Sequence, residues 1–498
     1  MTSSNKPEKE DPEKEDPKKD ESRKVVFDRR PLWIVIFDRM RRGIVVAVLL
    51  IGFFVLLGRD VPEGLSPEGY KVLCLFFLCV CLWASNVIPL SATSLLVIGA
   101  VPLMGIMDAS QVYSFFGNRA VFFILGAFVL SGSMIACGLS GRMSLWVIER
   151  WGHRPRTLMT SIYFFGAVSS CFMSEHAVAA MLFPIVTEIV SALKLPQGKS
   201  AFAKSLYFAL AWGCIIGGAT TVLGGGRVPL AVEMLEKGTD GQSTLGILQY
   251  SQLTFPMIVL LLVCGWVLLN LLFKPEIEDV QPALVDLHAK SLAQGKVTYQ
   301  EMGVGAVMAL TLIFWFGFGE QLGIANISIM AIVLLFVLNL ITWKTVEPHV
   351  NWAIILMYGG AIALGQVMAS SGAALWLAQK AFQGSVASPT AFLLTVAVLS
   401  TLFTTFMSNS AVIAILLPPA LSLCSDYGIS PVVATMTVIL PSNFAFILPI
   451  ATPASALAFA SRHISLREMV FSGTLLSLLG MVCFLILLFV FWPWMGFQ

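Results

Sequence analysis

The sequence predicts an all-α polytopic membrane protein assembled from inverted repeats that carry re-entrant helical hairpins and unwound helices. Of the 498 residues, 57% are hydrophobic and only 12% charged, about half the charged share of an ordinary globular protein. Apolar runs close to membrane-spanning length recur along the chain. The two halves also match each other at a fixed offset of 234 residues.

The charges are unevenly placed. Of the 31 Lys and Arg and 29 Asp and Glu, 18 lie in the first 30 residues, which leaves about 9% charge over the remaining 468. Only a polytopic membrane protein sustains that level over such a length. An ordinary soluble enzyme is excluded, and a net charge of +2 makes no case for nucleic acid.

Residues 1–31 hold the near-repeat KPEKEDPEKEDPKKDESRK and no apolar h-region, and read as a solvated, disordered cytoplasmic tail. Spans are expected at Gly43–Gly58, Tyr70–Ile88, Ser91–Ile106, Val121–Cys137, Leu206–Leu223, Phe255–Phe273, Gly303–Phe318, Ile327–Thr342, Trp352–Ala369, Ala391–Leu402, Val432–Ile450 and Ser472–Phe491. Several are too short or too interrupted to be simple spans. A polar break, 274–300, splits the membrane part into two halves. Arg29, Arg30, Arg39, Arg41 and Arg42 precede the first span, and Arg142, Arg150, Arg154 and Arg156 follow the fourth. Positive-inside counting therefore places the tail and those loops in the cytoplasm. The nine cysteines all lie in or beside apolar runs, which gives neither a disulfide framework nor a zinc site.

The internal repeat is clearest where Phe172–Pro184, FMSEHAVAAMLFP, meets Phe406–Pro418, FMSNSAVIAILLP, with eight identities in thirteen positions. Upstream, Gly126, Ala127, Leu130, Met134 and Gly138 fall on Gly360, Ala361, Leu364, Met368 and Gly372. Ala and Leu match by chance in apolar helices, but the paired Met-Ser, Pro and Gly do not. Many secondary transporters are built from such repeats and bind substrate and ions near mid-membrane at broken helices.

Ser174-Glu175-His176 and Ser408-Asn409-Ser410 each sit between two short apolar runs, the pattern of a hairpin that enters and leaves from one side. Irregular backbone at such a tip must be buried or line a polar cavity. Hydroxyls, amide oxygens and freed carbonyls suit a hard cation such as Na⁺, while half-helix N-termini suit a carboxylate or sulfate. A plainer reading makes these residues helix caps at loops outside the membrane, which their matched positions weigh against. Each half then carries a stretch broken by Gly or Pro, IGGATTVLGGGRVP at Ile216–Pro229 and LPIATPAS at Leu448–Ser455, read as unwound helix. Two tips and two unwound stretches would enclose one central site.

These residues resemble the divalent anion:sodium symporters, the family of sodium-coupled dicarboxylate and sulfate transporters, from about Gly43 to Phe497. Members carry Ser-Asn-Thr at each hairpin tip and Gly-Thr-Pro-Pro-Asn-like or Ala-Thr-Pro-Pro-Asn-like unwound stretches. The resemblance implies a homodimeric elevator in the plasma (inner) membrane. Its scaffold would comprise 32–151 and 301–382, its transport elements 152–273 and 383–498, with 274–300 as a cytoplasmic linker. It implies a second sodium site at Thr404, Met407, Asn409 and Ala451. Substrate would meet Ser174, His176, Gly225, Arg227, Ser408, Asn409, Ser410, Thr452 and Pro453.

The first half departs from the family pattern. Ser170 and Ser174 remain, but Glu175 and His176 replace Asn and Thr, and Gly224-Gly225-Gly226-Arg227-Val228 replaces Gly-Thr-Pro-Pro-Asn. The first sodium site, at Ser170, Ser174, Glu175 and Gly224, is thus degenerate. Ionisable groups near the midplane usually pair or function. Arg227 or protonated His176 could supply the charge that Na⁺ supplies in relatives, with Glu175 as its partner. Glu175 and His176 could instead carry a proton, Glu175 and Arg227 could form a static pair, or Arg227 could bind a substrate carboxylate.

The expectation is a secondary active transporter of small divalent anions, C4-dicarboxylates first, with altered cation coupling. A sodium-independent or proton-coupled exchanger, and a sulfate or tricarboxylate transporter, are its alternatives. A channel would need a polar stripe along several helices, and an enzyme a nucleophile–base pair or metal-ligand spacing; the sequence carries neither. His153, His288, His349 and His463 fall near span ends, and Trp33, Trp146 and Trp492–Trp494 read as interfacial anchors.

Overall fold

A backbone in lipid has no water to bond, so each crossing segment must satisfy its N–H and C=O groups internally, and an apolar sequence of this kind becomes helix. The computed structural model describes residues 32–85, 87–382, 388–449 and 451–497; the predicted tail lies outside them. It is 77% helix. Among the described residues there is no strand, and nine helices are long and apolar enough to cross a membrane.

The repeat seen in the sequence holds for whole elements. Leu90–Leu103 and Ile324–Val337 start and end 234 positions apart, as do the starts of Leu139–Trp151 and Ala373–Phe382, Pro155–Ser170 and Pro389–Phe406, and Glu175–Ala192 and Asn409–Cys424. The halves interlock reciprocally. Leu90–Leu103 packs on Trp352–Ser370 of the second half, and Ile324–Val337 packs on Arg119–Ala136 of the first.

The Gly126/Gly360 match has its physical reason there. A β-carbon on Gly126 would lie 2.3 Å from Cβ of Ser328, and one on Gly360 would lie 2.4 Å from Cβ of Ser94. Ser94 and Ser328 are themselves repeat partners, so one close helix crossing is built twice.

Each half contains a helical hairpin, Pro155–Ser170 with Glu175–Ala192 and Pro389–Phe406 with Asn409–Cys424. Both open on a proline in the first turn, where the missing N–H would have had no partner anyway. Each half also contains a broken helix: Ala201–Gly218 resumes as Arg227–Gly238, and Pro431–Ser442 resumes as Pro453–Ala460. The expected spans Leu206–Leu223 and Val432–Ile450 are therefore not continuous, because the helices stop at Gly218 and Ser442.

The polar break gains a helix, and one further expectation changes. The polar break 274–300 contains a helix, Gln281–Ala293, packed on Leu139–Trp151 and Glu175–Ala192, with Lys290 bonded to Glu188 at 2.6 Å. Arg142 holds its far end, donating to Glu301 Oε1 at 2.8 Å and to the Gly295 carbonyl at 2.9 Å. Trp492 is not an interfacial anchor: it is 1% exposed and its Nε1 donates to the Leu253 carbonyl at 3.1 Å. Trp146 and Trp494 are exposed.

Candidate functional site

Each hairpin tip docks on the break of its own half. In the second half, Thr404 near the end of the outgoing helix reaches Asn409 Oδ1 at 2.7 Å and the Ser442 carbonyl at 2.8 Å. Met407 is extended, with φ −137°, and Ser408 caps the return helix by accepting from the Ala411 N–H. Thr452 caps Pro453–Ala460 by accepting from Ser455 N–H at 3.2 Å. Ser408 is thus a helix cap, as is Thr452, and both capped ends are at the junction of tip and break. Ala451 is buried, Ser408 and Ser410 are half-buried, and Pro453 is exposed.

This half has more oxygen than protons. Thr404 has one hydroxyl proton for two oxygen acceptors, and the Asn409 amide nitrogen is buried without a partner. Turning the amide would bring its nitrogen to Thr404 and leave its oxygen unserved. In either orientation one oxygen lacks a donor. Such a donor set fits a hard cation.

The first half is arranged differently at the same repeat positions. Ser170, opposite Thr404 in the repeat, is buried and its hydroxyl has no partner. Glu175, opposite Asn409, is 0% exposed; its N–H donates to the Gly224 carbonyl at 2.9 Å, and its Oε2 accepts from Arg227 Nη2 at 2.9 Å. Arg227 is 3% exposed. His176 has its Nδ1 3.6 Å from Glu175 Oε1, beyond a hydrogen bond, and its side chain is 27% exposed. Of the two proposed cations, Arg227 therefore makes the contact. Thr221 adds a bond from the break to the tip, donating to the Cys171 carbonyl at 2.6 Å.

The two halves meet at this centre. Arg227–Gly238 packs on the second hairpin's return helix, and Pro453–Ala460 on the first's. Ser174 and Gly225 line one small cavity with Ile124 and Gly226, about 10 Å³ in volume, roughly room for one water. Four helix N-termini, at Glu175, Arg227, Asn409 and Pro453, begin here. Each carries about half a positive elementary charge.

Sequence reasoning missed several groups. Tyr358, on Trp352–Ser370, is fully buried with its hydroxyl against Gly226, where a β-carbon would lie 2.1 Å away. Its repeat partner is Ile124, and a tyrosine opposite an isoleucine was the available signal. Asn443, in the second break, has a buried amide oxygen without a partner. A polar contact between Asn118–Arg119 and the far end of the first broken helix was also unseen: Asn118 donates to Glu233 at 2.6 Å, Arg119 pairs with Glu236, and Lys237 lies 5.1 Å over the Phe115 ring.

Residues 39–498 match the sequence model of a family described as the sodium:sulfate symporter transmembrane region. The sodium-dependent dicarboxylate transporter SdcS of Staphylococcus saprophyticus is 25% identical over 478 residues, 91% of each chain. SdcS of Staphylococcus aureus is 25% identical over 458 residues, 87% of this chain and 88% of the other. Two solved structures share the fold. The YdaH transporter of Alcanivorax borkumensis aligns with TM-score 0.54 and 16% identity over 78% of this chain and 90% of that one. MtrF of Neisseria gonorrhoeae, from a class of antimetabolite efflux pumps, aligns with TM-score 0.57 and 12% identity over 90% and 93%.

Proposed function

The chain belongs to the sodium:sulfate symporter family and is a multi-pass secondary transporter of divalent anions rather than an enzyme, and we propose that its preferred substrate is a C4-dicarboxylate carried by an elevator cycle in which a fixed ion pair replaces one coupling cation. The observation that carries this reading is the buried Glu175–Arg227 pair, at 2.9 Å, in the repeat position of Asn409.

The scaffold would be 32–151 and 301–382, joined as a homodimer in the plasma membrane with the tail cytoplasmic. The moving part would be 152–273 and 383–498, with 274–300 as the linker. Thr404, Met407, Asn409 and Ala451 would hold the coupling sodium, whose charge attracts the anion. In the first half, Ser170, Ser174 and Gly224 would face Arg227 instead of a cation. Arg227 takes up the Glu175 carboxylate, so a sodium there would meet a neutral pair instead of a free carboxylate. The Glu175–Arg227 pair costs no ion on each cycle, so this half would contribute orientation without stoichiometry.

The substrate would lie where the helix N-termini begin. Ser174, Gly225, Ser408, Asn409, Ser410, Thr452 and Pro453 would present hydroxyls, an amide and backbone N–H groups to its two charges. A divalent anion matches the summed partial charges better than a monovalent one. The same donors suit sulfate, and the names of the SdcS relatives favour a dicarboxylate. A proton-coupled exchanger is the second reading, and the half-exposed His176 beside Glu175 favours it.

The test is uptake of labelled succinate into proteoliposomes under sodium, proton and counter-substrate gradients imposed in turn. Saturable uptake driven by sodium supports the proposal. Uptake driven only by a proton gradient, or only by counter-substrate, would replace it with the second reading.

A further inference from the structure

We propose that Tyr358 is a substrate-binding residue, and that with the Arg227 Nε–H and the Ser410 hydroxyl it forms a three-donor clamp for one anionic end of the substrate. The inference rests on the reading that this chain carries a divalent anion, and it adds a group that the hairpin and break motifs do not contain.

Tyr358 is 0% exposed, and its hydroxyl makes no hydrogen bond. Buried tyrosine hydroxyls ordinarily find a partner. This one is held against the break at Gly226, and Arg227 and Ser410 are among its polar neighbours. The Arg227 Nε–H is a second buried donor without an acceptor, because Glu175 takes Nη2. Ser410, half-buried at the second tip, adds a hydroxyl beside that of Tyr358.

The three groups come from three elements, Trp352–Ser370 on the scaffold side and the first broken helix and second hairpin on the moving side, so the clamp is complete only in the state in which these elements meet. Packing alone would not require a hydroxyl here. The repeat partner of Tyr358 is Ile124, which reaches the same Gly225–Gly226 break from the first-half helix with no polar atom. The hydroxyl is therefore an addition to one side of a two-fold plan.

Two unserved donors at one break, with a further hydroxyl beside them, call for an acceptor with several lone pairs. A carboxylate or sulfate group has them, and accepts from a guanidinium and two hydroxyls together. Glu175 already balances the charge of Arg227, so the clamp reads hydrogen-bond geometry rather than net charge. A neutral or cationic solute would leave two buried donors unpaired, which is how such sites reject the wrong substrate.

The experiment is sodium-driven uptake of labelled succinate by Tyr358→Phe, which keeps the ring against Gly226 and removes only the O–H. KM is expected to rise about 10- to 100-fold, as for a lost hydrogen bond to a charged group, with maximal rate within about twofold. The sodium concentration for half-maximal uptake and the ligand-free melting temperature are expected to stay as in the unmodified protein. Succinate should stabilise the variant against heat less than it stabilises the parent. Ser410→Ala provides a second variant, expected to raise KM similarly and less than additively with Tyr358→Phe. An unchanged KM in Tyr358→Phe, or a lowered rate at unchanged KM, would overturn the clamp while leaving the transport function standing. Absence of saturable uptake by the unmodified protein would overturn the transport reading and the clamp with it.

Discussion

Replacing Arg227 by Met removes a charge whose partner stays behind. Glu175 is fully buried, its Oε1 has no hydrogen bond, and its Oε2 loses the 2.9 Å contact to Nη2. With the charges about 4 Å apart and an effective dielectric of about 20, the lost attraction is about 4 kcal/mol. That lies within the roughly 3–5 kcal/mol found when one partner of a buried pair is removed. His176 at 3.6 Å is too far to replace the bond. Arg227→Met should therefore melt well below the parent in detergent, while Glu175→Gln with Arg227→Met together should recover most of the loss. The single variant also leaves a bare carboxylate beside Ser170 and Gly224, recreating demand for a cation. Sodium should then protect it from heat more than it protects the parent, and the Hill coefficient of sodium activation should rise from about one towards two. A loss below about 1 kcal/mol, or a sodium response like the parent's, would refute a pair that stands in for an ion.

Thr404→Val removes the hydroxyl shared by Asn409 and the Ser442 carbonyl, and should raise the sodium concentration for half-maximal uptake about tenfold; a sodium titration checks it. Glu233→Ala with Glu236→Ala removes the carboxylates held by Asn118 and Arg119. A spin-label distance distribution between Arg119–Ala136 and Arg227–Gly238 should then gain a second population, the equilibrium shifting by about tenfold or more. Gly226→Ala would place a β-carbon 2.1 Å from the Tyr358 hydroxyl, so uptake should be nearly abolished while protein still reaches the membrane. His463, in the loop before the last long helix, is held below the ordinary histidine range by burial and by Lys204. The unfolded state then binds its proton more readily, so this contribution to stability is full above about pH 6.5 and declines as pH falls below it. His463→Gln should flatten the melting temperature between about pH 6.5 and 5.5.

The fold was largely legible because helices in an apolar chain announce themselves by length and because the repeat is written in residues that cannot vary freely. Gly126 and Gly360 matched across 234 positions since each faces a serine Cβ at a helix crossing that admits no side chain. The hairpin tips were legible for a similar reason: Ser174 and Ser408 are polar groups between apolar runs. Helix Gln281–Ala293 was missed because it is short and lies inside a charged stretch, and its buried face, Ala283, Leu284 and Leu287, is covered by neighbouring helices. Trp492 was misread since tryptophan near a span end looks the same whether it meets lipid headgroups or a buried carbonyl. Which cation pairs with Glu175 was undecidable from spacing, because His176 is adjacent in sequence and Arg227 is 52 residues away. Tyr358 left only one trace in the sequence, a tyrosine opposite Ile124 in the repeat, and its hydroxyl acquires meaning only when the other half's break is packed against it.

The replaced ion is the central claim, and the ratio of sodium to succinate entering together measures it directly. Parallel uptake of labelled sodium and labelled succinate in proteoliposomes clamped at zero potential should give about one sodium per anion, the second-half site acting alone. A ratio of two or more, with uptake strictly dependent on sodium, would contradict the account and return the first half to the role of an ion site.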